Sequence, residues 1–195
     1  MRQRIQEPRQ VLDRVEDAGQ KELRQQQERE DLVRRALQVL PDPNYELIVV
    51  DNTLTLGESS VNARDWPIAG KLTVVPPYTR ETMDAFFAGI DVLLFPSQWK
   101  ESFGLTVREA LLRDVWVIAT DAGGAAEDIT PGENGTVLPL SDDPEPLRAA
   151  VADLLRHPER LDGYVNPHKA RITSFDAQAE ELAGILRTVV ANEAR

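Results

Sequence analysis

From Tyr45 onward the chain alternates between short apolar runs and amphipathic stretches. "YELIVVDN" (45–52), "GKLTVVPPY" (70–78), "DVLLFPS" (91–97), "VWVIATDAGG" (115–124) and "NGTVLPL" (134–140) are brief, rich in branched side chains and nearly continuous in their apolar core. That is the pattern of strands buried on both faces. The segments between them repeat at helical spacing. "TRETMDAFFAGI" (79–90) places Met83, Phe86, Phe87 and Ile90 on one face, with Thr79 as a candidate N-cap. "FGLTVREALLRD" (103–114) follows the third strand, and a short helix through Glu127 is expected after the Gly123–Gly124 turn. "DPEPLRAAVADLLRH" (143–157), capped by Asp142 or Asp143, and "SFDAQAEELAGILRTVVANEAR" (174–195) complete the series. The stretch 53–69 reads equally as loop or weak helix.

Ahead of the first strand, residues 9–40 read as one long helix. Val11, Val15 and Ala18 recur at helical spacing, as do Leu32, Val33, Ala36, Leu37 and Leu40, and Pro41 and Pro43 stop it. Between the two groups, "GQKELRQQQERED" offers only Leu23, and sustained heptads, which a coiled coil requires, are absent. Strands alternating with helices call for a Rossmann-like, three-layer α/β domain with a mainly parallel sheet, preceded by that helix. The expected organisation is an N-terminal helical segment over 1–40 and one domain over 41–195.

Composition narrows the function classes. The net charge of −11 argues against a nucleic-acid binder, which needs a basic footprint to neutralise phosphates. The imbalance is confined to the domain: residues 1–40 hold 9 Lys/Arg against 8 Asp/Glu, and the remainder 13 against 25. An anionic ligand must therefore be held locally, by backbone N–H groups or a few placed cations. The absence of cysteine removes disulfides, thiolate metal sites and cysteine nucleophiles, and two histidines cannot form a His-rich metal cluster. Apolar runs reach five or six residues at most, so no transmembrane segment is expected. "MRQRIQEPRQ" lacks the apolar core of a signal peptide, so the expected location is cytoplasmic.

In open α/β sheets, ligands bind beyond the carboxyl ends of the strands. Two turns stand out there: Pro96 to Gly104, and Thr120 to Gly124. The N–H groups of Phe103, Gly104 and Leu105 fall at a helix start, where unpaired donors and the helix dipole favour a phosphate. Gly123 and Gly124 stand at the next turn, and the two together make a candidate diphosphate cradle. Glu109 shares a helix face with Leu105 and Leu112. It either presents two oxygens to the hydroxyls of a ribose or forms an i,i+4 ion pair with Arg113. Glu101, ahead of the helix, is either a ligand contact or favourable charge near an N-terminus.

"DVLLFPSQWKESFGLTVREAL", "VWVIATDAGGAAEDITPGENGTVLPL" and "LRAAVADLL" occur in the order that resembles the C-terminal half of a family-4 glycosyltransferase of the GT-B fold. Glu101 and Glu109 match that family's E-x7-E motif, and the resemblance covers about residues 45–157, more weakly to 194. It implies a nucleotide-diphospho-sugar donor as substrate, no separate cofactor, no metal, and retention of configuration. Glu101 would be the catalytic-site acid facing the donor sugar, helped by the N–H groups of Phe103, Gly104 and Leu105. Glu109 would hold the ribose, the strand end with Pro77 and Tyr78 would lie near the base, and Glu127 near the donor.

The pattern departs from the family at two points. Residues 1–40 contain no apolar strand followed by the Arg and Lys that grip the diphosphate, and Arg9 is only a faint counterpart. Losing that strand would leave a gap in the middle of the sheet. Nor do 195 residues have room for the acceptor-binding domain, so a missing domain or subunit is implied as partner and the isolated chain is expected to be inactive. The rival reading is a catalytically silent module, with self-association through the N-terminal helix. Trp116 reads as core. Trp99 reads as a ring covering a strand edge or stacking on a ligand, Asn134-Gly135 as a turn, and His157 and His168 as residues without a visible catalytic partner.

Overall fold

A computed structural model describes residues 24–100, 102–173 and 175–193. A helix, α1, covers 24–37; the remainder of the helix expected over 9–40 lies outside the described residues on its N-terminal side, as does Arg9. Five strands follow: β1 (Glu46–Val50), β2 (Lys71–Val75), β3 (Val92–Phe95), β4 (Trp116–Thr120) and β5 (Gly135–Leu138). They alternate with α2 (Met83–Phe87), α3 (Leu105–Leu111) and α4 (Glu145–Arg156), and α5 (Phe175–Glu193) ends the chain. Every pairing is parallel, as the continuous apolar runs require.

β4 shows how one strand builds two cores. Its side chains point alternately to opposite faces. Trp116 and Ile118 join Leu32, Val33, Ala36 and Leu37 of α1, with Leu147 and Leu154 of α4. Val117 and Ala119 join Phe87 of α2 and Val107, Ala110 and Leu111 of α3. Helices thus cover both faces of the sheet, giving the expected three-layer Rossmann-like α/β architecture. The apolar face of α1 is spent in the same cluster that the strands line.

The strands form two ladders, β1–β2 and β3–β4–β5. β1 and β3 each have one edge without a strand partner among the described residues, and they do not close up on each other. All five residues of β4 are buried, whereas the apolar residues of β1 and β3 are only half-buried. Both strands nevertheless pack on one cluster through Leu47, Val92 and Leu94. Among the described residues no strand joins the two ladders, as expected from the missing strand.

Two local expectations are corrected, and one left open is settled. α2 is confined to 83–87, because Thr79 closes a turn ahead of it: its N–H donates to Thr82 Oγ1, and Thr82 holds the cap position. No helix follows Gly124; residues 124–128 are consecutive turns. Asn134 imposes them, accepting from Thr130 N (2.6 Å) and donating to the Asp128 carbonyl (3.0 Å) while fully buried. The stretch 53–69 resolves into two 3-10 turns, Asn52–Leu56 and Ala63–Asp65.

Asp51 organises that stretch. The buried carboxylate accepts from Thr53 N and Oγ1, from Ser59 Oγ, and from Ser60 N and Oγ at 2.6–3.0 Å. Burial alone would raise its pKa; the hydroxyls of Thr53, Ser59 and Ser60 and the Thr53 N–H outweigh this and hold it far below the usual carboxylate range.

Candidate functional site

The carboxyl ends of β2, β3 and β4 deliver three segments to one side of the sheet. β2 runs into Pro76-Pro77-Tyr78, where two prolines end the ladder because neither can donate an N–H. Pro77 and Tyr78 are half-buried. The Tyr78 ring packs against Phe86 and Phe87, with centroids 4.8 and 5.3 Å apart. Its hydroxyl donates to Glu109 Oε2 at 2.7 Å. Burial first, and then this bond to a carboxylate, push the Tyr78 pKa well above its ordinary value. The phenol is thus a fixed neutral donor at physiological pH.

The Arg113 alternative for Glu109 is not the arrangement adopted. Arg113 pairs with Asp84 at 2.7 Å, lies over the Phe87 ring, and donates to the backbone carbonyl of Glu109, not to its carboxylate. Among the described residues the carboxylate's hydrogen-bond partner is Tyr78.

The turns after β3 and β4 pack directly on each other. Gly104 adopts φ 64°, and a Cβ there would stand 2.5 Å from Ala125 Cα. A Cβ on Gly124 would collide with the Ser102 carbonyl oxygen. The small residues are therefore required by loop-on-loop contact. Gly123, exposed at φ 85°, makes the turn. The first N–H groups of α3, from Leu105 onward, have no acceptor within the helix, and Leu105 itself is exposed. The two turns are also tied where they leave the sheet, by Thr120 Oγ1 donating to the Ser97 carbonyl.

Arg108 adds a link that the sequence reading missed. Its guanidinium lies 3.7 Å from the Phe103 ring centroid, donates to Asp128 Oδ2, and reaches Glu127 Oε2 at 3.5 Å. One face of the short helix thereby connects Phe103, before it, with the turn after Gly124. The available signal was a charged residue between Val107 and Glu109 with two acids some twenty positions on. Glu127 is otherwise largely exposed. Glu101 lies outside the described residues; Lys100 and Ser102 beside it are exposed.

Other candidates find structural partners. Trp99 donates its indole N–H to Glu28 of α1 at 2.8 Å. Trp116 is buried as expected, against Tyr164. The His157 ring lies 3.3 Å from the neighbouring Glu159. His168 does have a partner, Glu133 at 2.7 Å, 35 residues away and so invisible to local reading. His168, Arg171, Thr130, Glu127, Asp128 and Ile172 line a polar pocket.

The domain is Rossmann-like and α/β, with two packed glycine turns and a tyrosine-held carboxylate at the carboxyl ends of its strands. Solved structures bear out the fold. A glycosyltransferase from Rickettsia africae matches with TM-score 0.66 at 18% identity, over 83% of this chain and 44% of that one. The Anabaena HepE protein, solved with UDP-glucose, matches with TM-score 0.61 at 17% identity, over 81% and 44%. Residues 22–171 match the model of the glycosyl transferases group 1 family, and the chain belongs to that family. A D-inositol 3-phosphate glycosyltransferase of Mycobacterium ulcerans is 31% identical over 131 residues, 65% of this chain and 27% of the relative. The chain thus spans about a quarter of the length of this curated relative. Among the described residues no helix is long and apolar enough to cross a membrane.

Proposed function

We propose that this chain is the donor-binding part of a retaining, metal-independent glycosyltransferase, and that it takes a nucleotide-diphospho-sugar as substrate. The observation that carries the reading is the convergence of Tyr78, Glu109 and the two packed glycine turns at the carboxyl ends of three parallel strands. Glu109 holds the ribose, Pro77 and Tyr78 border the base, and the diphosphate meets the N–H groups of Phe103, Gly104 and Leu105 and of Gly123 and Gly124. Glu101 and Glu127 face the donor sugar. The HepE complex supports a donor of this chemical class. Catalysis then rests on positioning the donor and on neutralising the departing diphosphate. Transfer requires an acceptor-binding domain or subunit, and the isolated chain binds donor without turning it over.

Calorimetric titration of the chain with UDP, GDP, UDP-glucose and GDP-mannose tests this. The expected result is binding of one nucleotide series, weakened by about 1–3 kcal/mol in Glu109→Ala through lost ribose hydrogen bonds, and unchanged by a chelator. Absence of binding at millimolar nucleotide overturns the reading. It then favours a catalytically silent module that serves assembly, a role supported by the exposed stripe Leu182, Ile185, Leu186, Val189 and Val190 on α5.

A further inference from the structure

Glu109 reaches the site on a side chain with three rotatable bonds, so its oxygens are only as well placed as the contacts that hold them. One contact does this. Tyr78 Oη stands 2.7 Å from Oε2, while among the described residues no hydrogen bond is made to Oε1. The tyrosine cannot easily follow the carboxylate if it moves, because its ring is wedged against Phe86 and Phe87, which themselves meet edge to face at 5.3 Å. Nor does Arg113 compete for the carboxylate, being engaged by Asp84 and the Glu109 carbonyl. A carboxylate offers about four acceptor directions over its two oxygens. Fixing one oxygen by a neutral donor decides which the ligand meets and removes rotamer freedom that binding would otherwise have to freeze.

Resting on the reading of Glu109 as the ribose-binding acid, we propose that Tyr78 is a positioning residue for nucleotide recognition. Its hydroxyl holds Oε2 of Glu109 so that Oε1 is presented to a ribose hydroxyl, which makes the site selective for ribonucleotides over deoxyribonucleotides. The role differs from a base contact. A base contact gives affinity to any nucleotide, whereas the Tyr78–Glu109 arrangement acts only through the sugar hydroxyl.

The test is the ratio of affinities for UDP and GDP over their 2′-deoxy and 3′-deoxy counterparts, measured by titration calorimetry on wild type, Tyr78→Phe and Glu109→Gln. Wild type is expected to prefer the ribose form of its nucleotide by roughly tenfold or more, the value of one well-made hydrogen bond to a charged group. Tyr78→Phe keeps the ring packing, and is expected to lower that preference to roughly threefold or less while leaving affinity for the deoxy forms unchanged. Equal weakening of ribo and deoxy forms in Tyr78→Phe would mean a purely structural role and overturns the proposal, with the donor-binding function intact. A wild type that binds UDP or GDP but ignores removal of either hydroxyl overturns it without any variant. A wild type that binds neither nucleotide overturns the donor-binding function and this proposal together.

Discussion

Gly104 and Ala125 meet so closely that no side chain fits between them: a Cβ on Gly104 would lie 2.5 Å from Ala125 Cα. Gly104 also occupies the left-handed region, where a Cβ is strained whatever the space. Both effects oppose Gly104→Ala, which is expected to destabilise the domain by about 2–4 kcal/mol, from strain and overpacking together. Urea unfolding measures it. A loss within about 0.5 kcal/mol, the usual range for surface substitutions, would mean that the two turns separate at little cost.

Arg108 and Asp128 should behave as a coupled pair. Both are largely buried, so removing either strands the other in a poorly hydrated position. Arg108→Leu alone and Asp128→Leu alone are each expected to cost about 2 kcal/mol, less than a fully buried pair because part of Asp128 stays wet. Replacing both by leucine is expected to recover most of that loss, since an apolar pair can substitute for a buried ion pair. A double variant as unstable as the sum of the singles would show that the two side chains act independently.

Asp51 makes stability sensitive to acid. Its pKa is depressed in the fold, so its contribution is complete above the unfolded carboxylate value near ~3.9 and is lost as pH falls below it. Asp51→Asn removes the titrating group and leaves several donors poorly matched, at a cost of about 1–3 kcal/mol near neutral pH. The difference between wild type and variant, followed by urea midpoints from neutral to strongly acidic pH, should shrink on acidification. A difference independent of pH would exclude Asp51 as the source.

Local patterns carried much of the architecture, and long-range contacts carried what they missed. "VWVIAT" announced β4 because a strand buried on both faces admits only apolar residues, and Trp116 could be placed in the core on that ground. The turn after Gly124 read as helix because Ala125 and Ala126 favour one, yet Asn134 and the close approach of Gly124 to Ser102 forbid it. Neither contact leaves a trace within a helical window. For Glu109 the spacing offered Arg113 as readily as a ligand. Only the folded chain shows that Arg113 is taken by Asp84, and that Tyr78 arrives from a strand 31 residues earlier. The order of motifs pointed to the turns at the carboxyl ends of the strands, and the pairing of side chains there awaited the fold.

Alkaline pH probes the packing of all three tyrosines at once. Burial raises Tyr45 and Tyr78, and pushes Tyr164 up to about 12, where Asp114 adds to the effect. Each raised pKa favours the protonated fold, so this stabilisation is complete below the unfolded tyrosine value near ~10 and is lost as pH rises from there through the folded values. Because the chain has only these three tyrosines, phenolate absorbance reports on them directly. Little phenolate should form while the domain stays folded, and its appearance should coincide with loss of the far-ultraviolet circular dichroism signal in one transition. Tyr78→Phe should leave that transition with a smaller amplitude, missing the tyrosine that Glu109 holds. Titration of the tyrosines near pH ~10 with the fold intact would contradict the desolvation that raises them.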